Sequence, residues 1–192
     1  MKVLKFGGSS VGNPDSIKQV RQIIGEQALP CIVVISALHG VTDQLNLIAE
    51  MARKREDYNE MLGQVVMRHH DYAKELISDP ARLQKVLEFI NSITEELNDA
   101  LRSITLSDEV QRKHIDIILS AGERLSSFLI ANFIEGSIYL DARSLIRTWS
   151  SGSTTLVDFS TTNDLIQATI DLRNYCNLIP EIYCGLYQIV GC

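Results

Sequence analysis

The strongest constraint in this sequence lies in its opening stretch. Val3-Leu4-Lys5-Phe6 has the composition of a short strand and runs directly into Gly7-Gly8-Ser9-Ser10, a loop made only of small residues. Asn13-Pro14 then starts a helix, with Asn suited to the N-cap and Pro to the first helical position. Strand, small-residue loop and helix together shape a backbone to hold an anion. Glycine lacks the Cβ that would keep the main chain away, and the N–H groups of the loop and helix start point at one spot. Lys5 would add a full positive charge there, as a compact point charge suited to phosphate oxygens. The loop is neither G-x-x-x-x-G-K-[ST] nor G-x-G-x-x-G. A plain tight turn at Gly7-Gly8 is the alternative reading.

Downstream residues extend this unit. Ile17, Val20 and Ile24 recur at helical spacing and predict a helix to about Gln27, broken at Ala28-Leu29-Pro30. Cys31-Ile32-Val33-Val34-Ile35 is apolar on both faces and rich in β-branched residues, as a central strand of a parallel sheet is. The result is a βαβ unit, which takes a right-handed crossover. Ser36-Ala37-Leu38-His39-Gly40-Val41-Thr42-Asp43 is a second small-residue loop, leaving the C-terminal end of that strand for another helix. Ligands of open α/β sheets sit outside such ends. Alone, Thr42 reads as a helix cap and Ser36 as a strand-end polar residue.

From about Gln44 to Leu119 the pattern is helical, with apolar series at Leu45, Ile48, Ala49 and Ala52, at Met61, Leu62, Val65 and Val66, and from Leu83 to Leu97 after an Asp79-Pro80 start. This is too much for one crossover, and predicts a helical insert in the sheet topology. His69 and His70 are neighbours on a helix, diverge by about 100° and make a poor chelating pair. Ser120-Ala121-Gly122-Glu123-Arg124-Leu125-Ser126-Ser127 interrupts the apolar run Ile115–Leu119 and leads into a buried helix, Phe128–Ile134, ended by Gly136. On that reading Glu123 is an acid in a helix's first turn, favoured by the dipole. Ser137–Leu140 is a third strand, Asp141–Ile146 a short helical turn, and Ser150–Thr155 a polar loop or hairpin tip. Thr162-Asn163-Asp164 starts a last helix with Leu165, Ile166, Ala168, Thr169, Ile170 and Leu172 on its buried side; Leu178–Tyr183 is a fourth strand. Four strands leave a sheet with an exposed edge.

Composition narrows the function classes. A net charge of -6 argues against a nucleic-acid surface or a polybasic membrane contact, so a phosphate site here must be local. The four cysteines, Cys31, Cys176, Cys184 and Cys192, have no metal-ligand spacing and read as reduced thiols. No signal peptide or membrane-length apolar run is visible, and a cytoplasmic soluble protein is expected.

Four motifs taken together carry more than any one of them. Lys5-Phe6-Gly7-Gly8-Ser9-Ser10-Val11, Ser36-Ala37-x-x-Gly40-Val41-Thr42, Ser120-x-Gly122-Glu123-x-x-Ser126 and Asp141-Ala142-Arg143-x-x-Ile146-x-Thr148 closely resemble the aspartokinases of the amino acid kinase superfamily, over about residues 1–175. The helical insert between the second and third motifs fits that family, and the start at the first motif looks like the aspartokinase half of fused aspartokinase–homoserine dehydrogenases. The resemblance implies an α/β fold, a three-layer αβα sandwich with a mostly parallel sheet, of which this chain is the N-terminal lobe with its insert. It implies transfer of the γ-phosphoryl of ATP to the β-carboxylate of L-aspartate, with magnesium carried largely on the nucleotide phosphates, in a homo-oligomer. Lys5 would stabilise the transferred phosphoryl, Gly7, Gly8 and Ser9 would bring main-chain donors to it, and Ser36, Thr42 and Glu123 would hold the aspartate. Ser9 stands where the family usually has threonine. The family's later Gly-Phe segment, G-R-G-G-S-D run, nucleotide lobe and regulatory domains have no match in the tail, so an N-terminal piece inactive by itself is expected. A short oligomerisation or effector-binding module and a different amino acid kinase are the alternatives.

Overall fold

The computed structural model describes residues 2–27, 31–107, 111–151, 154–169 and 182–184. Strand β1 (Lys2–Phe6) leads through a 3-10 turn (Gly8–Val11) into helix α1 (Pro14–Gly25), and β2 (Cys31–Ile35) follows. Asn13 caps α1 as expected, its side chain accepting from the Ser16 N–H at 2.8 Å. Helices α2 (Val41–Arg53), α3 (Asn59–Leu76), α4 (Pro80–Leu106) and α5 (Arg112–Phe133) form the insert and its return to the sheet. Next come β3 (Ser137–Tyr139), α6 (Ala142–Leu145), β4 (Thr148–Ser151), β5 (Thr154–Val157), α7 (Phe159–Thr169) and β6 (Ile182–Cys184).

Strands β1, β2, β6 and β3 pair in that order, all parallel, and β4–β5 is a separate antiparallel hairpin. The register Phe6↔Ile35 brings β1 and β2 to an end at one level, so the two small-residue loops leave the sheet side by side. Among the described residues β1 and β3 are the sheet edges, and Val3 on β1 is exposed. Of the fourth expected strand, residues 178–181 lie outside the described residues; the remainder pairs as β6.

One apolar core joins the sheet to the insert. It includes Ile17, Val20 and Ile24 of α1, Val33 and Ile35 of β2, Leu45 and Ile48 of α2, Ile90, Ile93 and Leu97 of α4, and Ile118, Leu125 and Leu129 of α5. Helices α4 and α5 pack along each other, and α5 also lies against β2, β3 and β6. Asp79 caps α4 through the Arg82 N–H at 2.8 Å, with Pro80 in the first turn.

Three local expectations need correction. Ser120–Ser127 does not interrupt anything: α5 is one helix from Arg112 to Phe133. Its serines return their hydroxyls to carbonyls of the same helix, Ser120 to Ile117 at 3.1 Å and Ser127 to Glu123 at 2.6 Å, so they accommodate the helix rather than break it. Glu123 is therefore mid-helix, beyond the reach of a terminal dipole. Thr42 does not cap α2; Gly40 holds that position in the left-handed region (φ 80), a conformation glycine adopts without steric cost. The last helix begins at Phe159, three positions before the expected Thr162, because Asp158 accepts from the Thr161 N–H at 3.0 Å. Its expected apolar side is thinly covered. Thr162 is buried, Leu165 and Ile166 are half-buried, and Ala168 and Thr169 are exposed; Ile170 and Leu172 lie outside the described residues.

Candidate functional site

The two loops at the ends of β1 and β2 touch. The Ser36 N–H donates to the Phe6 carbonyl at 3.1 Å, carrying the ladder one step past the strands. A Cβ on Gly8 would stand 3.3 Å from the Ala37 carbonyl oxygen, and one on Gly12 would stand 3.3 Å from the His39 Cβ. Glycine at these positions lets one loop lie on the other. Beside Gly7 the space is open, with nothing within 4 Å of where a Cβ would be.

Helix α5 closes on the second loop from the other side. A Cβ on Gly122 would meet the Ala37 Cβ at 2.9 Å and Val41 Cγ1 at 3.1 Å, so this contact depends on the missing side chain. Ser126 Oγ donates to the Ser36 carbonyl at 2.8 Å. The Glu123 carboxylate is half-buried, and burial raises its pKa above the usual carboxylate value; hydrogen bonds from its own backbone N–H and that of Ala37 act the other way. Among the described residues Glu123 has no ion-pair partner. A half-buried carboxylate held in this way, with no cation beside it among the described residues, suits a ligand carrying an ammonium group.

The third motif thus lies against the second, and the second against the first. Thr42 occupies the second position of α2, next to Val41, which faces Gly122. Ser9 is exposed in the 3-10 turn. Lys5 is exposed on β1 in register with Val34, and no hydrogen bond or ion pair among the described residues joins it to the others. The Asp141 motif lies beyond the end of β3. Asp141 caps α6 through the Arg143 N–H at 2.9 Å, and Arg143 also donates from its guanidinium to both carboxylate oxygens. Burial pushes the Asp141 carboxyl up, and the Arg143 hydrogen bonds outweigh it and hold the pKa below the usual value.

Two side-chain groups here carry no motif signal. Arg68 and Tyr72 of α3 reach the first two loops, donating to the Gly12 carbonyl at 2.9 Å each, and Arg68 also donates to the His39 carbonyl at 2.8 Å. On α5, Arg124 is 3% exposed and makes two hydrogen bonds to Glu96 of α4, at 2.6 and 3.0 Å. Their i, i+4 spacing on α3 and one basic letter on α5 were visible, but nothing in the letters says which partner each would meet.

The model of the amino acid kinase family matches residues 1–173. The chain belongs to the amino acid kinase family. Within it, the chain is similar to the N-terminal part of aspartokinases. It is 36% identical over 132 residues to an aspartokinase of Chlamydia trachomatis, covering 68% of this chain and 27% of that protein. It is 28% identical over 156 residues to a chloroplastic bifunctional aspartokinase/homoserine dehydrogenase 2 of Zea mays, covering 78% of this chain and 17% of the relative. Its fold matches that of E. coli aspartokinase III in complex with aspartate and ADP with a TM-score of 0.77 at 22% identity, over 95% of this chain and 40% of the other. Clostridium acetobutylicum aspartate kinase gives 0.71 at 20% identity, over 96% of this chain and 38% of the other. The chain therefore spans less than half the length of each of these amino acid kinase relatives. No helix among the described residues is long and apolar enough to cross a membrane.

Proposed function

We propose that this chain forms the aspartate- and phosphoryl-holding side of an aspartokinase site, where the γ-phosphoryl of ATP passes to the β-carboxylate of L-aspartate to give 4-phospho-L-aspartate. The observation that carries this reading is Glu123, a half-buried carboxylate with no cationic partner among the described residues, hydrogen-bonded to the loop that follows β2. An α-ammonium docking there would offset the burial that raises the Glu123 pKa. Ser36 and Thr42, on the same loop and the helix after it, would fix the rest of the amino acid. One solved relative was crystallised with aspartate and ADP, ligands of the same chemistry.

The chemistry asks little of a general base. The nucleophile is a carboxylate, already ionised at neutral pH, so rate comes from alignment and from neutralising charge on the moving phosphoryl. Gly7, Gly8 and Ser9 would supply main-chain donors beside the open space at Gly7, and Lys5 a mobile positive charge. Magnesium enters with the nucleotide as substrate, since it prefers phosphate oxygens and retained water to an all-protein cage.

Calorimetry tests the reading directly. L-aspartate should bind the 192-residue polypeptide saturably, and Glu123→Gln should weaken binding at least tenfold with the fold intact by circular dichroism. Absence of binding in the parent chain, or equal binding in the variant, overturns the assignment. With Mg-ATP and aspartate, ADP release by these residues alone should stay at the blank rate, because the motifs found here furnish the acceptor and phosphoryl side only.

A further inference from the structure

We propose that Arg68, assisted by Tyr72, is a positioning residue by which the helical insert sets the two substrate loops relative to one another. One guanidinium spans both loops. Its Nη1 donates to the His39 carbonyl at 2.8 Å and its Nη2 to the Gly12 carbonyl at 2.9 Å. The Tyr72 hydroxyl donates to the same Gly12 carbonyl at 2.9 Å, and Arg68 Nε donates to that hydroxyl at 3.3 Å. Arg68 also lies over the Tyr72 ring, 5.4 Å from its centroid, so the two side chains brace each other one turn apart on α3.

The consequence follows from peptide geometry. A trans peptide is planar, with its C=O and the next N–H pointing in opposite directions. Drawing the Gly12 and His39 carbonyls toward α3 therefore turns the N–H groups of Asn13 and Gly40 away from it. The same contacts hold negative carbonyl oxygens out of the space an anion would occupy. Gly40, with φ 80, is the position where a peptide flip costs least, and it is adjacent to the carbonyl that Arg68 holds. A lysine must serve both carbonyls from one nitrogen on a flexible stem, whereas the planar guanidinium gives each carbonyl its own nitrogen in a fixed geometry. The insert thus acts on the site without contributing a group that touches substrate. That purpose rests on the aspartokinase reading; the bridge between the loops does not.

Two measurements separate these layers. In hydrogen exchange on the ligand-free 192-residue polypeptide, the reporters are the Ser10 amide, bonded to the Gly7 carbonyl, and the Val41 amide, bonded to the Leu38 carbonyl. Arg68→Met should speed both at least tenfold, Arg68→Lys should speed at least one, and amides of β2 should keep their rates. Tyr72→Phe should speed Ser10 and spare Val41, an asymmetry that a general loosening of α3 would not produce. Unchanged loop exchange in Arg68→Met, or equal loosening of both loops in Tyr72→Phe, overturns the bridge. In aspartate calorimetry, Arg68→Met should lose at least tenfold in affinity. Full affinity in a variant with loosened loops overturns the positioning role, whereas no binding by the parent chain refutes the aspartokinase reading and leaves the exchange data to decide the bridge.

Discussion

Glu123 and Arg124 are consecutive residues of one helix, and the structure treats their charges in opposite ways. Arg124 turns toward the insert, is 3% exposed, and donates to both carboxylate oxygens of Glu96. That pairing holds the Glu96 carboxyl below its usual pKa, against the opposing effect of burial. Glu123 turns toward the loops, where burial holds its pKa up and the counter-groups are backbone N–H donors. Burying a charge without a partner is costly, and a chain selected for stability alone would pair both. The insert face of α5 is built to hold the fold together. The loop face leaves a cost standing, which on the proposed reading a ligand's ammonium group would remove.

Several substitutions would break or sharpen this contrast. The largest effect is expected from Glu96→Ala, which strands the buried Arg124 guanidinium. A loss of about 3 kcal/mol in urea unfolding is expected, toward the low end for a broken buried pair because Glu96 is 45% exposed on its side chain. A loss under about 1 kcal/mol would erase the distinction between the two faces.

Acid should pull the two regions in opposite directions. His69 on α3 is fully buried, and burial lowers its pKa to about 4; its Nδ1 lies 2.8 Å from the Val65 carbonyl. The unfolded chain then binds a proton that the folded chain refuses, so stability falls as pH drops from about 6.5 to about 4, by roughly 3 kcal/mol in all. Glu123 runs the other way. Its raised pKa is a penalty present above that pKa and relieved as the carboxylate protonates. Urea midpoints across this range should fall in the parent chain and flatten in His69→Gln; an unchanged slope in that variant removes His69 as the cause.

A smaller loss is expected at the contact between α5 and the loop. Gly122→Val must push Ala37 and Val41 aside, which should cost about 2 kcal/mol and blunt aspartate binding as well. Smallest of all is the stability change in Glu123→Gln, within about 0.5 kcal/mol or slightly stabilising, since the substitution removes a buried charge rather than a contact. A large loss there would mean that Glu123 serves the fold and not a ligand.

What could be read from the letters, and what could not, divides along the same line. The strand Cys31–Ile35, the Asn13 and Asp79 caps and the glycines at the loop crossing are local, and each declared itself through composition or spacing. Of the two readings of Ser150–Thr155, a polar loop or a hairpin tip, the antiparallel pairing of β4 with β5 favours the second. The third motif reads as a break because small residues cluster at Ser120-Ala121-Gly122 and again at Ser126-Ser127; in the buried helix Gly122 and Ser126 are the residues that let the loop after β2 come close. Gly40, not Thr42, takes the cap of α2, because the backbone there is in the left-handed region. Arg68, Tyr72 and the Glu96–Arg124 pair stayed invisible. Their partners lie far along the chain, and no period in the sequence encodes such meetings.

The unbroken course of α5 has a consequence of its own. Along a continuous helix each residue is rotated about 100° from the last, so the two neighbouring charges are locked in phase by the count of residues before them. Deleting one residue between Arg112 and Gly122 would move each later side chain back by one position, sending the Arg124 guanidinium toward the loops, the Glu123 carboxylate into the tight place that Gly122 keeps against Ala37, and Leu125 toward Glu96. A deletion scan through α5 would find intolerance on a scale that point substitutions at the same positions do not reach.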